Sequence, residues 1–164
     1  MFAEIYFLKY AFPCAFIKLQ RGKITKRQYD SLHSAALGKK NINRSTLEKF
    51  FAVPVGHIKL IAKKMNVDDW SIEAIREYFW EKHDAVIDSG DGFYADAPKV
   101  LCELCRVEPA EVLRKGGNWA VVKFANNKKR SVLSELVPRL KKGDRVIVHY
   151  GYIVEKLDKI EKRC

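Results

Sequence analysis

The sequence predicts an α+β fold, with an N-terminal all-helical domain followed by a small β-barrel. Three observations carry this. Apolar residues recur at helical spacing from Phe2 to Val86; the turn-rich stretches Asp88-Ser89-Gly90-Asp91-Gly92 and Ala95-Asp96-Ala97-Pro98 interrupt them; and beyond Pro98 the hydrophobic period becomes strand-like. The resulting division is residues 1–88 as a helical domain, 89–98 as a linker and 99–164 as a barrel domain. With 164 residues in all, each part exceeds the roughly 60 at which a domain can build its core without disulfides or metals.

The first helix is predicted over Phe2–Gln20, with Ile5, Leu8, Phe12, Phe16 and Leu19 on one stripe and Pro13 expected to kink or interrupt it. Thr25 and Gln28 have the form of a capping box and open a helix carrying Tyr29, Leu32, Ala36 and Leu37 that stops at Gly38. Ser45 and Glu48 repeat the device. A helix from Pro54 is expected to pack Ile58, Leu60, Ile61 and Met65. Asp68, Asp69 or Ser71 then caps the strongest helical stretch, with Ile72, Ile75, Phe79, His83 and Val86 on its inner face. Tyr78, Phe79 and Trp80 read as core aromatics because Phe79 falls on that stripe. In the last part, Trp119–Phe124, Ser131–Leu133 and Arg145–Tyr150 read as strands, set off by Gly116-Gly117-Asn118, Asn126-Asn127 and Gly143-Asp144. Several short strands at close spacing favour a barrel, which removes exposed edges.

A composition of 48% hydrophobic and 31% charged residues excludes a disordered or fibrous chain. No apolar run approaches the roughly 20 residues of a membrane span, since Lys9, Lys18 and Arg21 break the hydrophobic start. No secretory leader is read either, so the expected setting is the cytoplasm with no membrane contact. The formal net charge is +11, and residues 98–164 hold 16 basic against 8 acidic side chains. That excess fits an acidic partner of either class, protein or nucleic acid.

The chemistry-bearing pair is Cys102 and Cys105, a C-x-x-C whose thiolates can converge on one ion or form a redox pair. A closed zinc site needs two further ligands, and only scattered candidates, Cys14, Cys164, His83 and His149, are available. Zinc is therefore less favoured. No phosphate-cradling glycine loop or hydrolase arrangement is present, so no enzyme is expected, and Asp68-Asp69 reads as a helix cap.

Residues Cys105-Arg106-Val107-Glu108-Pro109-Ala110-Glu111-Val112-Leu113 carry a Cys, three positions, Pro-Ala and a Val. Further on come Ala120–Phe124, Ser134 to Pro138, Lys142-Gly143-Asp144-Arg145-Val146-Ile147-Val148-His149 and Gly151 to Asp158. This segment, about residues 102–160, resembles the HypC/HupF/HybG hydrogenase-maturation chaperones, most specifically in G-D-x-V-x-V-H-x-G followed by E-K-L-D. The resemblance implies an OB-like barrel with a short C-terminal helix. It also implies a non-enzymatic role in delivering the Fe(CN)₂CO unit of [NiFe]-hydrogenases, with a HypD-like scaffold and the hydrogenase large-subunit precursor as partners. By the same resemblance the iron fragment is held transiently by Cys105, and the family histidine maps onto His149; Cys102 is extra to the family and offers either a second thiolate for the metal or a disulfide with Cys105; Arg106, Pro109 and Gly151 fall in the partner-binding region. A thiolate is a soft ligand suited to such iron, an imidazole can bond a cyanide nitrogen, and Arg106 is expected to favour the thiolate. The chain departs from the family in placing about a hundred residues ahead of its cysteine, and in carrying Arg106 and Glu108 at positions usually apolar.

The alternative reading is a basic OB-like nucleic-acid-binding protein, with Lys128, Lys129 and Arg130 on a hairpin as phosphate contacts and Trp119 as a stacking surface. The helical part bears no recognisable motif.

Overall fold

The computed structural model describes residues 3–90 and 92–158, and the chain divides into two compact units, Met1–Lys82 and His83–Cys164. The first unit is helical: α1 (Ala3–Gln20), α2 (Lys26–Ala36), α3 (Arg44–Phe50), α4 (Ala52–Met65) and α5 (Ile72–Glu77), the last running into a π-helical turn, Tyr78–Lys82. The second holds α6 (His83–Asp88), a 3₁₀ turn (Gly92–Asp96) in the stretch expected as linker, α7 (Lys99–Leu104) and five strands: β1 (Val107–Lys115), β2 (Trp119–Phe124), β3 (Lys129–Leu133), β4 (Arg145–His149) and β5 (Tyr152–Lys156). The α+β class and its order thus match the sequence reading.

In the helical unit α1 is the central element. Tyr6, Phe7, Leu8, Tyr10, Phe12, Ala15 and Ile17 are all buried, whereas Ile5, Phe16 and Leu19 of the expected stripe are half-buried, and the helix continues through Pro13. Burial on several sides holds the helix across the hydrogen bond that proline cannot make. Phe7 meets Phe51, Trp70 and Phe79 at ring-centroid distances of 5.8, 5.3 and 6.0 Å, and Tyr10 stacks on Phe79 at 4.9 Å. Tyr10 Oη accepts from Trp80 Nε1 at 2.7 Å, so the aromatic cluster is core, as its spacing predicts.

Local signals fare unevenly. The Thr25–Gln28 capping box forms in both directions, and Gly38 ends the turn after α2 at φ +71°. The second box does not form: Asn43 caps α3 by accepting from Thr46 N at 2.9 Å, and Ser45 Oγ instead donates to Asn43 Oδ1. On α4 the buried residues are Val55, Ile58 and Ala62, while Leu60 is 62% exposed and Met65 is also out. The helix starts at Ala52, and its inward stripe follows Phe51, Val55, Ile58 and Ala62, which turns Leu60 to solvent. Among the three candidate caps of α5 it is Ser71 that accepts from Ala74 N. The π-helical turn shifts the register after it, so the buried residue beyond His83 is Ile87 and not Val86.

The strands close into a ring in the order β1-β2-β3-β5-β4. β1 pairs antiparallel with both β2 and β4, and the ring is closed by a parallel contact between β3 and β5 at Leu133 and Tyr152, where Leu133 N donates to Gly151 O at 2.8 Å. Inside lie Val112, Val122, Val146, Val148 and Ile153. The short C-terminal helix implied beyond Asp158 falls outside the described residues.

Candidate functional site

The geometry centres on the point where α7 becomes β1. Cys105 is the C-cap of α7; its N–H donates to Leu101 O at 2.9 Å and it is 0% exposed. Two residues later, Val107 opens β1 and stands opposite His149 at the end of β4. Cys105 and His149, separated by 44 positions in the sequence, are therefore brought to one end of the same strand pair. His149 is also completely buried, and its ring meets that of His83 edge-on, with centroids 4.9 Å apart and planes at 76°.

Helix α6 supplies the charged part of this site. Asp84 Oδ1 accepts the N–H of Val107 at 3.2 Å and lies 3.4 Å from His83 Nδ1. Arg106 makes two ion pairs, with Asp84 Oδ2 at 3.6 Å and with Asp88 Oδ1. Burial works to raise the Asp84 carboxyl, but the His83 contact, the Val107 N–H and Arg106 outweigh it and hold the group below its ordinary range. Hydrogen bonding to Asp88, with Asp84 beside it, raises the Arg106 guanidinium further. The positive charge expected to favour a Cys105 thiolate is thus compensated by two carboxylates. Asp84 and Asp88 were not singled out in the sequence; their i, i+4 spacing, which puts both on one helical face, is the signal that could have found them.

The remaining candidates lie around this point. Cys102 is half-buried in α7, with Sγ 3.9 Å from Ala97 O, so the C-x-x-C belongs to a helix followed by a strand, the reverse of a redox strand–helix setting. Cys14, Cys102 and Cys105 are all thiols. Among the described residues no group of three or more His, Cys, Asp or Glu side chains is arranged to hold a metal ion. Pro109 sits in β1 opposite Ile147, and Gly151 lies in the turn after Tyr150, which adopts φ +55°.

The basic hairpin is less uniform than its sequence suggests. Lys128 and Lys129 are exposed, but Arg130 is half-buried, donating from Nη2 to Tyr150 O at 3.1 Å and lying 4.6 Å over the Phe124 ring. Its guanidinium is lowered by burial, against a smaller opposite effect of Glu108, and is turned toward the protein. Trp119 is 39% exposed, with Arg114 stacked 4.9 Å from its ring. No helix among the described residues is long and apolar enough to cross a membrane.

Comparison with curated proteins finds no match. The model of the HupF/HypC family matches residues 105–163, so the match begins at Cys105 and takes in all five strands. This is a family of hydrogenase-maturation chaperones. Over its C-terminal part, from the cysteine that precedes β1 onward, this chain is therefore similar to the HupF/HypC family.

Proposed function

We propose that this chain is a maturation chaperone for [NiFe]-hydrogenase, a carrier and not a catalyst, acting in the cytoplasm on the Fe(CN)₂CO fragment as cargo. Cys105 supplies the thiolate and His149 the imidazole beside it, and the surface around Arg106, Pro109 and Gly151 docks on a HypD-like scaffold and then on the hydrogenase large-subunit precursor. The observation that supports this reading is the register of Val107 against His149, which sets His149 at the end of the strand pair that Cys105, the first residue of the family match, precedes by two residues.

The donor set suits the cargo. A fragment that brings its own carbonyl and cyanide ligands needs only one or two protein donors, and a thiolate with a neighbouring imidazole gives a soft ligand and a hydrogen-bonding partner for a cyanide nitrogen. In a host that depends on this protein, Cys105→Ser is expected to leave the hydrogenase large subunit without iron, while Cys102→Ser leaves maturation intact. Normal maturation with Cys105→Ser would overturn the assignment.

A further inference from the structure

Cys105 cannot receive cargo in the conformation described above, because none of its surface is exposed. The residues that fix it there come from the segment that precedes the family match. On one side its N–H is tied to Leu101 in α7; on the other, Arg106 and Val107 are tied to α6 through Asp84 and Asp88. The apolar hold on this segment is weak. No residue of α7 is fully buried, and Val100 is 62% exposed. Ion pairs at partly exposed positions therefore hold a lightly packed segment next to a buried thiol, the combination expected of an element that opens locally at low cost.

We propose that Asp84, Asp88 and Arg106 form a latch that keeps Cys105 sequestered, and that release of Arg106 from the two carboxylates precedes exposure of the thiol. The latch rests on the reading of Cys105 as the cargo-bearing residue, but its readout is the accessibility of the thiol and needs no iron. In the closed form Arg106 is also engaged within the chain, so the same opening frees a cation for a docking partner.

The test is peptide-resolved alkylation of the full-length protein by N-ethylmaleimide, followed by mass spectrometry. Amide hydrogen exchange of β1, β2 and β4 in the same protein serves as the reporter of unfolding of the unit that holds Cys105, and Cys14, which lies in the helical unit, reports on that unit alone. The Asp84→Asn/Asp88→Asn variant is expected to label Cys105 roughly tenfold faster or more, with hydrogen exchange of the strand amides unchanged. Raising salt from about 0.05 M to about 0.5 M on the unmodified protein is expected to act in the same direction, because it screens partly exposed pairs. The salt series does not depend on any variant folding. Cys105 labelling that is insensitive to salt, or that rises only in step with hydrogen exchange of the strand amides, would overturn the latch. That result would leave the carrier assignment standing, which fails only if Cys105→Ser matures hydrogenase normally.

Discussion

Replacing Phe7 by alanine tests the packing of the helical unit. Phe7 is completely buried and meets three aromatic rings, two of them edge-on. Truncating a core phenylalanine costs about 3–5 kcal/mol, and because each aromatic pair adds about 0.5–1.5 kcal/mol beyond area burial, the cost here is expected in the upper part of that range, about 4 kcal/mol. That is a large fraction of a domain's stability of about 5–15 kcal/mol. Trp70 and Trp80 lie in the helical unit and Trp119 in the other, so fluorescence in a Trp119→Phe background follows the helical unit alone through a urea titration. The midpoint is expected to fall with the slope unchanged. Leu60→Ser, on the outward face of α4, is expected to cost less than about 0.5 kcal/mol in the same assay. A loss under about 1.5 kcal/mol for Phe7→Ala, or equal losses for the two variants, would refute this account of the core.

Two further predictions concern the second unit. Asp144 Oδ2 accepts from Lys141 N and from Lys156 Nζ, both at 2.8 Å; burial works to raise its carboxyl, and these donors outweigh burial and hold it low. Asp144→Ala is expected to cost about 1–2 kcal/mol at neutral pH, discounted for the partial exposure of Lys156. Because the folded-state value lies below the unfolded one, this contribution is complete above the unfolded carboxyl range and lost as pH falls through the folded value. The gap between variant and parent should therefore narrow below about pH 4; a gap that stays constant into acid contradicts the pairing. At Gly116 a Cβ would overlap the Trp119 indole, so Gly116→Ala is expected to displace that ring from Arg114 at a cost of about 1 kcal/mol, with a shift in Trp119 emission. An unchanged emission spectrum would show that the indole lies elsewhere.

What the sequence revealed follows from the range of the forces involved. The Thr25 capping box and the core placement of Phe79 are local patterns, and each is realised; the change from helix to strand comes later than expected, at Val107, because Lys99–Leu104 directly after Pro98 forms a further helix. The phase of α4 was not legible, because apolar residues lie on both sides of that helix and only the start at Ala52, with Val55, Ile58 and Ala62 inward, decides between them. The π-helical turn likewise moves the inner face from Val86 to Ile87 by a backbone irregularity that no side-chain spacing announces. At the site, the motif residues Cys105 and His149 could be picked out from the chain alone. The engagement of Arg106 by Asp84 and Asp88 could not, since it depends on where α6 lies against β1.

The central claim, that Cys105 carries an iron fragment, is tested most directly by recovering the tagged chain from its own host under anaerobic conditions. Iron is quantified and the infrared cyanide and carbonyl region recorded for the unmodified protein and for Cys105→Ser. The account predicts iron with cyanide and carbonyl bands, and a HypD-like partner, in the unmodified sample, with all three lost in the variant. Nucleic acid in the eluate, with no iron bands and no effect of the substitution, would contradict it.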